Sequence, residues 1–182
     1  MLAVVGLSCG SAAVAEAFEL LSVESSRDGS AYELRIEARF EAAPEQLLAV
    51  LTDYDRIHEL HPRMVESRKL GRVGPATKEV QTRFEGCALL FCRTVYRVEH
   101  IRVEGLTLYA EDVPRRSSFE EGRTKWTLTP ISGGTQLRYE ARFVPAFRVA
   151  PVIGPGALAR SAKQTTLEMM AEIGHRARGH DD

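Results

Sequence analysis

The sequence lacks the features that mark several large classes of protein. Its 182 residues contain no apolar run of about 20, the length needed to cross a bilayer. Its 24 basic and 25 acidic residues nearly cancel and are interspersed, so no net field favours nucleic acid. There is no glycine-rich phosphate loop and no C-x-x-C pair. The length suits one domain with a sizeable core.

The sequence does not predict a metal site either. The run His58-Glu59-Leu60-His61 has two histidines around a glutamate, but zincins need H-E-x-x-H, in which both histidines share one helical face. Here the spacing is one residue short, and Pro62 ends the helix. We therefore predict no metal, no cofactor and solvent-exposed imidazoles at a polar helix end.

The first fifteen residues carry no charge and are mostly small or apolar. Ala13-Val14-Ala15 followed by Glu16 is typical of a secretory cleavage site, although the n-region has no Lys or Arg. We predict an exported, periplasmic protein; the alternative is a cytoplasmic one whose N-terminal stretch is a buried strand. The expected organisation is a signal peptide at 1–15, a lead-in at 16–30, the domain at 31–178 and a tail at 179–182.

Cysteine is scarce, with three residues in the chain. Cleavage after residue 15 would remove Cys9 and leave Cys87 and Cys92, an even pair in an oxidising compartment. A tight hairpin between them would bring the two sulfurs together, whereas one continuous strand would keep them apart. The pattern leaves a disulfide and two packed thiols both open.

The clearest local pattern begins with an alternating segment at Tyr32–Phe40. Its odd and even positions separate apolar from charged residues, which predicts a half-buried strand. Pro44 then suits the first turn of a helix, where its missing N–H has no partner to lose. The apolar stripe of this helix consists of Leu47, Leu48 and Leu51.

Strands without intervening helices follow, and one helix closes the chain. Turn signals and alternation place these strands at Met64–Gly71, Thr77–Glu85, Phe91–Val103, Leu106–Val113, Phe119–Thr129 and Thr135–Val144. The last two form a hairpin across Ile131-Ser132-Gly133-Gly134. A helix is predicted from Ala157 to Arg176, with an apolar side at Leu158, Ala162, Thr165, Met169 and Ile173.

This element order resembles the START-like (SRPBCC) superfamily, in the branch of polyketide cyclase/dehydrase and coenzyme-Q-binding domains. The likeness lies in Phe40-Glu41-Ala42-Ala43-Pro44-Glu45 entering the first helix and Asp53-Tyr54-Asp55-Arg56 leaving it, and it covers about residues 31 to 176. It implies an α+β helix-grip fold. In that fold a curved antiparallel sheet of about six to seven strands wraps a long C-terminal helix, with two short helices after the first strand.

The resemblance also implies a central cavity that holds a hydrophobic small molecule such as a lipid, quinone or polyketide. The side chains predicted to line it are Phe84, Tyr96, Trp126, Leu128, Tyr139, Phe143, Leu158, Ala162 and Thr165. Packing of the same side chains into a solid core is the alternative. The favoured role is to carry or sequester the ligand rather than to change it.

Two other functions stay open. A polyketide cyclase or aromatase needs an acid or base in the pocket, for which Tyr96, His100, Tyr139 and Asp112 are available, although no catalytic residue is predicted. The second is a ligand-free module that binds a protein partner.

Three surface segments have both a functional and a structural interpretation. Asp53-Tyr54-Asp55 is predicted to cap the second short helix rather than to hold a ligand. Arg115-Arg116 is interpreted as a solvated turn rather than an anion site. The proline- and glycine-rich segment Pro145–Gly156 is a lid, a transient membrane contact or a stiff connector.

Overall fold

The computed structural model describes residues 18–88, 91–147 and 155–179. A single eight-stranded sheet and two α-helices account for most of this part of the chain. The strands are β1 (Glu19–Asp28), β2 (Ala31–Phe40), β3 (Met64–Arg72), β4 (Thr77–Ala88), β5 (Phe91–Glu104), β6 (Thr107–Asp112), β7 (Phe119–Ile131) and β8 (Gly134–Pro145). The helices are α1 (Pro44–Thr52), a 3-10 helix (Ile57–Leu60) and α2 (Pro155–Arg178).

Every strand pair in the sheet is antiparallel, in the order β1-β2-β8-β7-β6-β5-β4-β3. The predicted α+β helix-grip architecture is confirmed, with eight strands instead of six to seven. The additional strand is β1, which lies within residues 16–30, the segment predicted as a lead-in. Almost every residue of β1 is exposed, so this edge strand lacks the alternation by which a half-buried strand is recognised.

Helix α1 begins where the sequence predicts. Pro44 occupies its first turn, and the Gln46 side-chain oxygen accepts a hydrogen bond from the Ala43 N–H at 2.7 Å. The helix buries Leu47, Val50 and Leu51 against the sheet and α2. Two short helices thus follow β2 as predicted, and the second of them is the 3-10 helix.

The segment after α1 corrects the prediction that Asp53-Tyr54-Asp55 caps the second short helix. Asp55 does not cap the 3-10 helix; its Oδ1 accepts a hydrogen bond from the Lys69 N–H on β3 at 2.9 Å. Tyr54 is buried beneath the segment. The N-cap residue of this four-residue helix is Arg56, and no side-chain hydrogen bond caps the helix, so Asp53 does not cap it either.

The end of the sheet next to α1 is filled by a solid core. The C-terminal half of α2 packs here, and its Met170, Ile173 and Ala177 are fully buried against Phe40 and Leu137. The core fixes α2 at one end and leaves its first half over the rest of the concave face.

In the described part of the chain no helix is both long and apolar enough to cross a membrane.

The β4–β5 connection is a hairpin, so the continuous strand considered for Cys87 and Cys92 does not occur. Their backbones face each other across the hairpin, while their side chains lie outside what the structure describes. Directly opposed residues of an antiparallel pair have Cα atoms about 4.5–5.5 Å apart, within the range that a disulfide spans.

We predict that Cys87 and Cys92 form a disulfide in an oxidising compartment. The closed loop is short, so reduction should lower the unfolding free energy by about 2 kcal/mol. The measurement is thermal unfolding with and without reductant, with a Cys87→Ser/Cys92→Ser variant as the control that must not respond. An unchanged melting temperature in reductant, once access of the reductant to Cys87 and Cys92 is verified, would refute a stabilising bridge.

Candidate ligand-binding site

A cavity of about 300 Å³ lies between the concave face of the sheet and the first half of α2. It contains most of the predicted lining: Phe84, Trp126, Tyr139, Phe143, Leu158, Ala162 and Thr165. The interior is therefore hollow at this end of the molecule. Exposed residues at the boundary, Arg63, Glu85 and Ser161, mark where the cavity meets solvent.

Two predicted lining residues lie elsewhere. Tyr96 is 46% exposed, because the alternation of β5 turns Val95 and Arg97 into the cavity and Tyr96 away from it. Leu128 does face inward, but it lies one inward position beyond Trp126, where the core is filled, and it is buried there. Neither residue lines the cavity.

A polar belt crosses the cavity wall from strand to strand and reaches the helix. We define it as Thr82 of β4, Arg97 and Glu99 of β5, Asp112 of β6, Thr124 of β7, Tyr139 of β8 and Thr166 of α2. The register explains the continuity, since Thr82 faces Arg97 and Glu99 faces Asp112 on adjacent strands. Six of the seven contact the cavity directly, and Asp112 lies behind them.

The centre of the belt is an arginine held by two acids. Arg97 donates to Asp112 through Nε at 3.2 Å and through Nη2 at 2.8 Å, and Nη2 lies 3.0 Å from Glu99 Oε1. The Asp112 side chain is completely buried. Its carboxylate occupies the space where a β-carbon at Gly122 would lie, so position 122 accommodates no larger residue without displacing it.

Burial and charge act in opposite directions on these groups. Burial and the neighbouring Asp112 raise the pKa of Glu99, and the Arg97 guanidinium only partly offsets this. Burial lowers the pKa of Arg97, but the Glu99 and Asp112 carboxylates outweigh it and raise that pKa, so Arg97 stays charged. Burial therefore favours the neutral form of Glu99.

Tyr139 links the sheet to the helix at the same level. Its phenol shares hydrogen bonds with Thr124 and Thr166, and burial raises its pKa. Its ring meets Trp126 edge-on, with the two ring centroids 4.5 Å apart. Trp126 is the single tryptophan of the chain and lines the cavity, so its fluorescence reports on this site alone.

The belt is bordered by apolar side chains on both sides. Toward the β4–β5 hairpin lie aromatic and aliphatic groups: Phe84, Val95, Phe119, Phe143, Phe147 and Leu158. Toward the core lie Val80, Ile101, Leu108, Ala110 and Met169. An apolar pocket with a few placed polar groups is the usual form of a small-molecule site.

The histidines of the His58–His61 run are not the exposed pair that the sequence predicts. His61 is 3% exposed, and its Nε2 lies 2.8 Å from Glu168 Oε2 on α2. Its Nδ1 accepts the Arg63 N–H at 3.0 Å, so Nε2 carries the proton and donates to Glu168. His58 is half-buried beside Ser67. Among the described residues no cluster of three metal-ligating side chains occurs.

The other residues considered for catalysis or anion binding separate in space. His100 faces the outer surface of the sheet, where Glu79 also bonds Arg116 at 2.7 Å. The Arg116 hydrogen bond lowers the pKa of Glu79. Arg115 and Arg116 are both exposed in a turn, as predicted, and the Arg116 guanidinium also pairs with Glu79. Only Tyr139 and Asp112 of the four proposed acids or bases belong to the belt.

Sequence reasoning missed Arg97 and Glu99. The usable signal was two opposite charges at alternate positions between Val95 and Ile101, on one face of a strand. Both faces of this strand mix apolar and charged residues, so alternation alone does not tell which one is buried.

We predict that Glu99→Gln stabilises the protein increasingly as pH rises. The folded pKa of Glu99 lies above its ordinary value of 4.5, so its ionisation weakens the native state as pH rises through the folded pKa. Glutamine keeps an oxygen for Arg97 and never ionises. Denaturant unfolding from pH 4 to pH 8 should show equal stability at the acid end and a growing gain above it.

Glu37→Gln on the outer face is the matched control, because Glu37 pairs with Arg138 there and lies outside the cavity. The difference in unfolding stability between Glu37→Gln and the native protein should not grow as pH rises. A native protein that gains stability over the variant with rising pH would contradict the electrostatic account.

Residues 32–172 match the family model described as polyketide cyclase / dehydrase and lipid transport. No protein of curated function matches the chain significantly in sequence.

Among solved structures, the chain is similar to the Zhui aromatase/cyclase from Streptomyces sp. R1128, with a TM-score of 0.70, 11% identity and coverage of 84% of this chain and 96% of that one. A STAR-related lipid transfer protein fragment from Xanthomonas axonopodis has a TM-score of 0.64 and 17% identity, with coverage of 83% of this chain and 98% of that one. Human STARD10 has a TM-score of 0.59 and 10% identity, with coverage of 83% of this chain and 72% of that one. At these identities the likeness shows the shared fold alone.

Proposed function

Because the chain belongs to the polyketide cyclase/dehydrase and lipid transport family, we propose that it binds and carries a hydrophobic small molecule of the lipid, quinone or polyketide class in its cavity. The observation that carries the proposal is the hollow space of about 300 Å³ between the sheet and α2, with apolar walls on both sides of the belt. An engineered apolar cavity of about 150 Å³ holds one benzene, so this space encloses roughly two such rings.

The test is native mass spectrometry of the purified protein, followed by solvent extraction and identification of what it carries. A titration with N-phenyl-1-naphthylamine, an uncharged apolar dye, should change the emission of Trp126. A protein that is empty and leaves Trp126 unchanged would refute the carrier function and favour a module that binds a protein partner.

A second candidate function is a cyclase or dehydratase. It is favoured by Glu99, a buried carboxyl with a raised pKa that lines the cavity beside Arg97. A carboxyl whose neutral form is favoured in this way can donate a proton to a bound ligand. If the extracted molecule is altered by the native protein but only bound by Glu99→Gln, the enzyme is supported; unchanged ligand in both cases supports the carrier.

Transient membrane contact is the proposed route of ligand exchange. Phe147, at the start of the Pro145–Gly156 segment, lines the cavity, and its ring centroid lies 4.1 Å from the Arg93 guanidinium carbon. The next residues of the segment, 148–154, lie outside the described part of the chain and are largely apolar in sequence. Flotation with neutral phosphatidylcholine vesicles should recover the native protein and lose Phe147→Ser.

Export to the periplasm also remains a proposal, supported by the uncharged, apolar sequence of residues 1–15 and by the opposed Cys87 and Cys92 backbones. N-terminal sequencing of the mature protein should begin at Glu16. An intact N-terminus on cytoplasmic material would contradict it.

A further inference from the structure

We propose that the polar belt makes the cavity selective for uncharged ligands that carry a hydroxyl or carbonyl group, against ligands that carry a carboxylate or phosphate. This inference rests on the proposed carrier function and concerns the same cavity. Three observations lead to it: a buried hydroxyl without a partner, an arginine already neutralised by acids, and the position of the belt between apolar walls.

The unpartnered hydroxyl belongs to Thr82. The residue is 5% exposed and lines the cavity, and within the described part of the chain its Oγ1 has no hydrogen-bond partner. Buried polar side chains are nearly always paired, since an unpaired one loses its bonds to water without replacement. A ligand hydroxyl or carbonyl at this point of the belt would supply the missing bond.

The charge balance of the belt opposes an anion. Arg97, directly opposite Thr82, is its one cation and already contacts both Asp112 and Glu99. A ligand carboxylate beside Arg97 would have to displace one of these acids or lie close to both of them. Either event leaves a desolvated negative charge without a cation, which is strongly unfavourable.

Cations at the cavity boundary are largely engaged as well. Arg142 binds Glu121 at 2.7 Å, and Arg123 pairs with the same carboxylate. Arg63 is exposed and is the natural partner of an acidic head group that stays at the opening. The experiment must therefore separate a polar group at the belt from an acidic group at Arg63.

The position of the belt supports the same preference. Phe84 and Val95 flank the belt on the hairpin side, and Val80 and Ile101 flank it on the core side. A group bonded to Thr82 therefore lies within apolar walls rather than at the solvent boundary. This arrangement suits a neutral polar group within a mainly apolar molecule.

The test compares 1-decanol, methyl decanoate and decanoate at neutral pH, with Trp126 emission as the readout. These probes share one chain and differ in the polar end. We expect the alcohol and the ester to bind at least about tenfold more tightly than the acid, because the acid must desolvate its charge without a free cation.

Two variants assign the selectivity to the belt. Thr82→Val removes the hydroxyl at nearly constant shape and should weaken decanol binding about three- to tenfold, the value of one hydrogen bond. Thr127→Val is the control for Thr82→Val, because Thr127 faces outward on β7, and it should leave decanol binding unchanged. Glu99→Gln should narrow the preference for decanol over decanoate, and Glu37→Gln should leave it unchanged.

The outcomes separate the two claims. If none of the three probes nor the apolar dye changes Trp126 emission, the carrier function and this inference both fail. If decanoate binds as tightly as decanol, the selectivity is refuted while the carrier function stands, and loss of decanoate binding in Arg63→Gln would place the acid at the opening. Selectivity that is unchanged in both Thr82→Val and Glu99→Gln would also refute the role of the belt.

Discussion

Replacement of Asp112 by alanine is expected to lower the free energy of unfolding by about 3–5 kcal/mol, the usual loss when one partner of a buried ion pair is removed. Asp112 is completely buried and takes two hydrogen bonds from Arg97. Without it the largely buried Arg97 keeps a single acid, Glu99. Denaturant unfolding monitored by Trp126 emission measures the change.

Glu121→Ala is the matched control. This carboxylate also contacts two arginines, Arg123 and Arg142, but it is partly exposed, so its loss should be far smaller. A second comparison uses Gly122→Ala, which introduces a β-carbon where the Asp112 carboxylate lies. Its cost should be large in the native protein and much smaller in the Asp112→Ala background, where the colliding group is absent.

Equal losses for Asp112→Ala and Glu121→Ala would contradict the belt as a buried, mutually dependent network. A cost of Gly122→Ala that did not depend on residue 112 would contradict it as well. Both measurements concern stability, so they are independent of the identity of any ligand.

Filling the cavity should abolish ligand uptake. Ala162 lies on the α2 face that lines the cavity, and an indole at this position would occupy much of the space of about 300 Å³. We expect Ala162→Trp to bind no N-phenyl-1-naphthylamine. Because this variant has two tryptophans, binding is measured by calorimetry instead of by Trp126 emission.

Stability supplies an independent check on the same variant. A bulky side chain forced into a packed core costs about 1–3 kcal/mol, whereas one placed in an open cavity need not destabilise the fold. Ala159→Trp is the control, since Ala159 lies on the same helix and does not line the cavity. Undiminished uptake by Ala162→Trp, or uptake lost equally in Ala159→Trp, would refute the assigned cavity.

The belt shows how this fold places polar groups inside an apolar space. Strands β4 to β8 each contribute inward residues at one level, and cross-strand neighbours then meet, as Thr82 meets Arg97 and Glu99 meets Asp112. The helix adds Thr166, which bonds Tyr139. Ligand preference can therefore change through single substitutions at this level while the apolar walls and the core keep the fold.

Links between α2 and the 3-10 helix hold the other end of the molecule. Arg176 donates to Glu59 at 2.7 Å, and hydrogen bonds from Arg56 and Arg176 lower the pKa of Glu59 to about 2. His61, just after the 3-10 helix, donates to Glu168 of α2, and Glu168 precedes the fully buried Met170 and Ile173 on that helix. These contacts and the core fix the C-terminal half of α2 independently of the cavity.

Local pattern alone was enough for most of the secondary structure. Alternation located β2, the proline located the start of α1, and Gly133 with a φ of 81° closes the β7–β8 turn where the glycines predicted it. Periodicity also placed Leu158, Ala162, Thr165 and Met169 on one side of α2, facing the cavity. These features depend on neighbours in the chain, which is why the sequence determines them.

Tertiary structure alone decided the contents and the filling of the interior. Arg97, Glu99 and Asp112 come from two strands, and only their register makes them one network. Buried His61 bonds a residue 107 positions away, a distance over which sequence carries no periodic signal. Whether inward side chains meet or leave a space depends on how far the sheet curves from α2, and that distance is a property of the assembled fold.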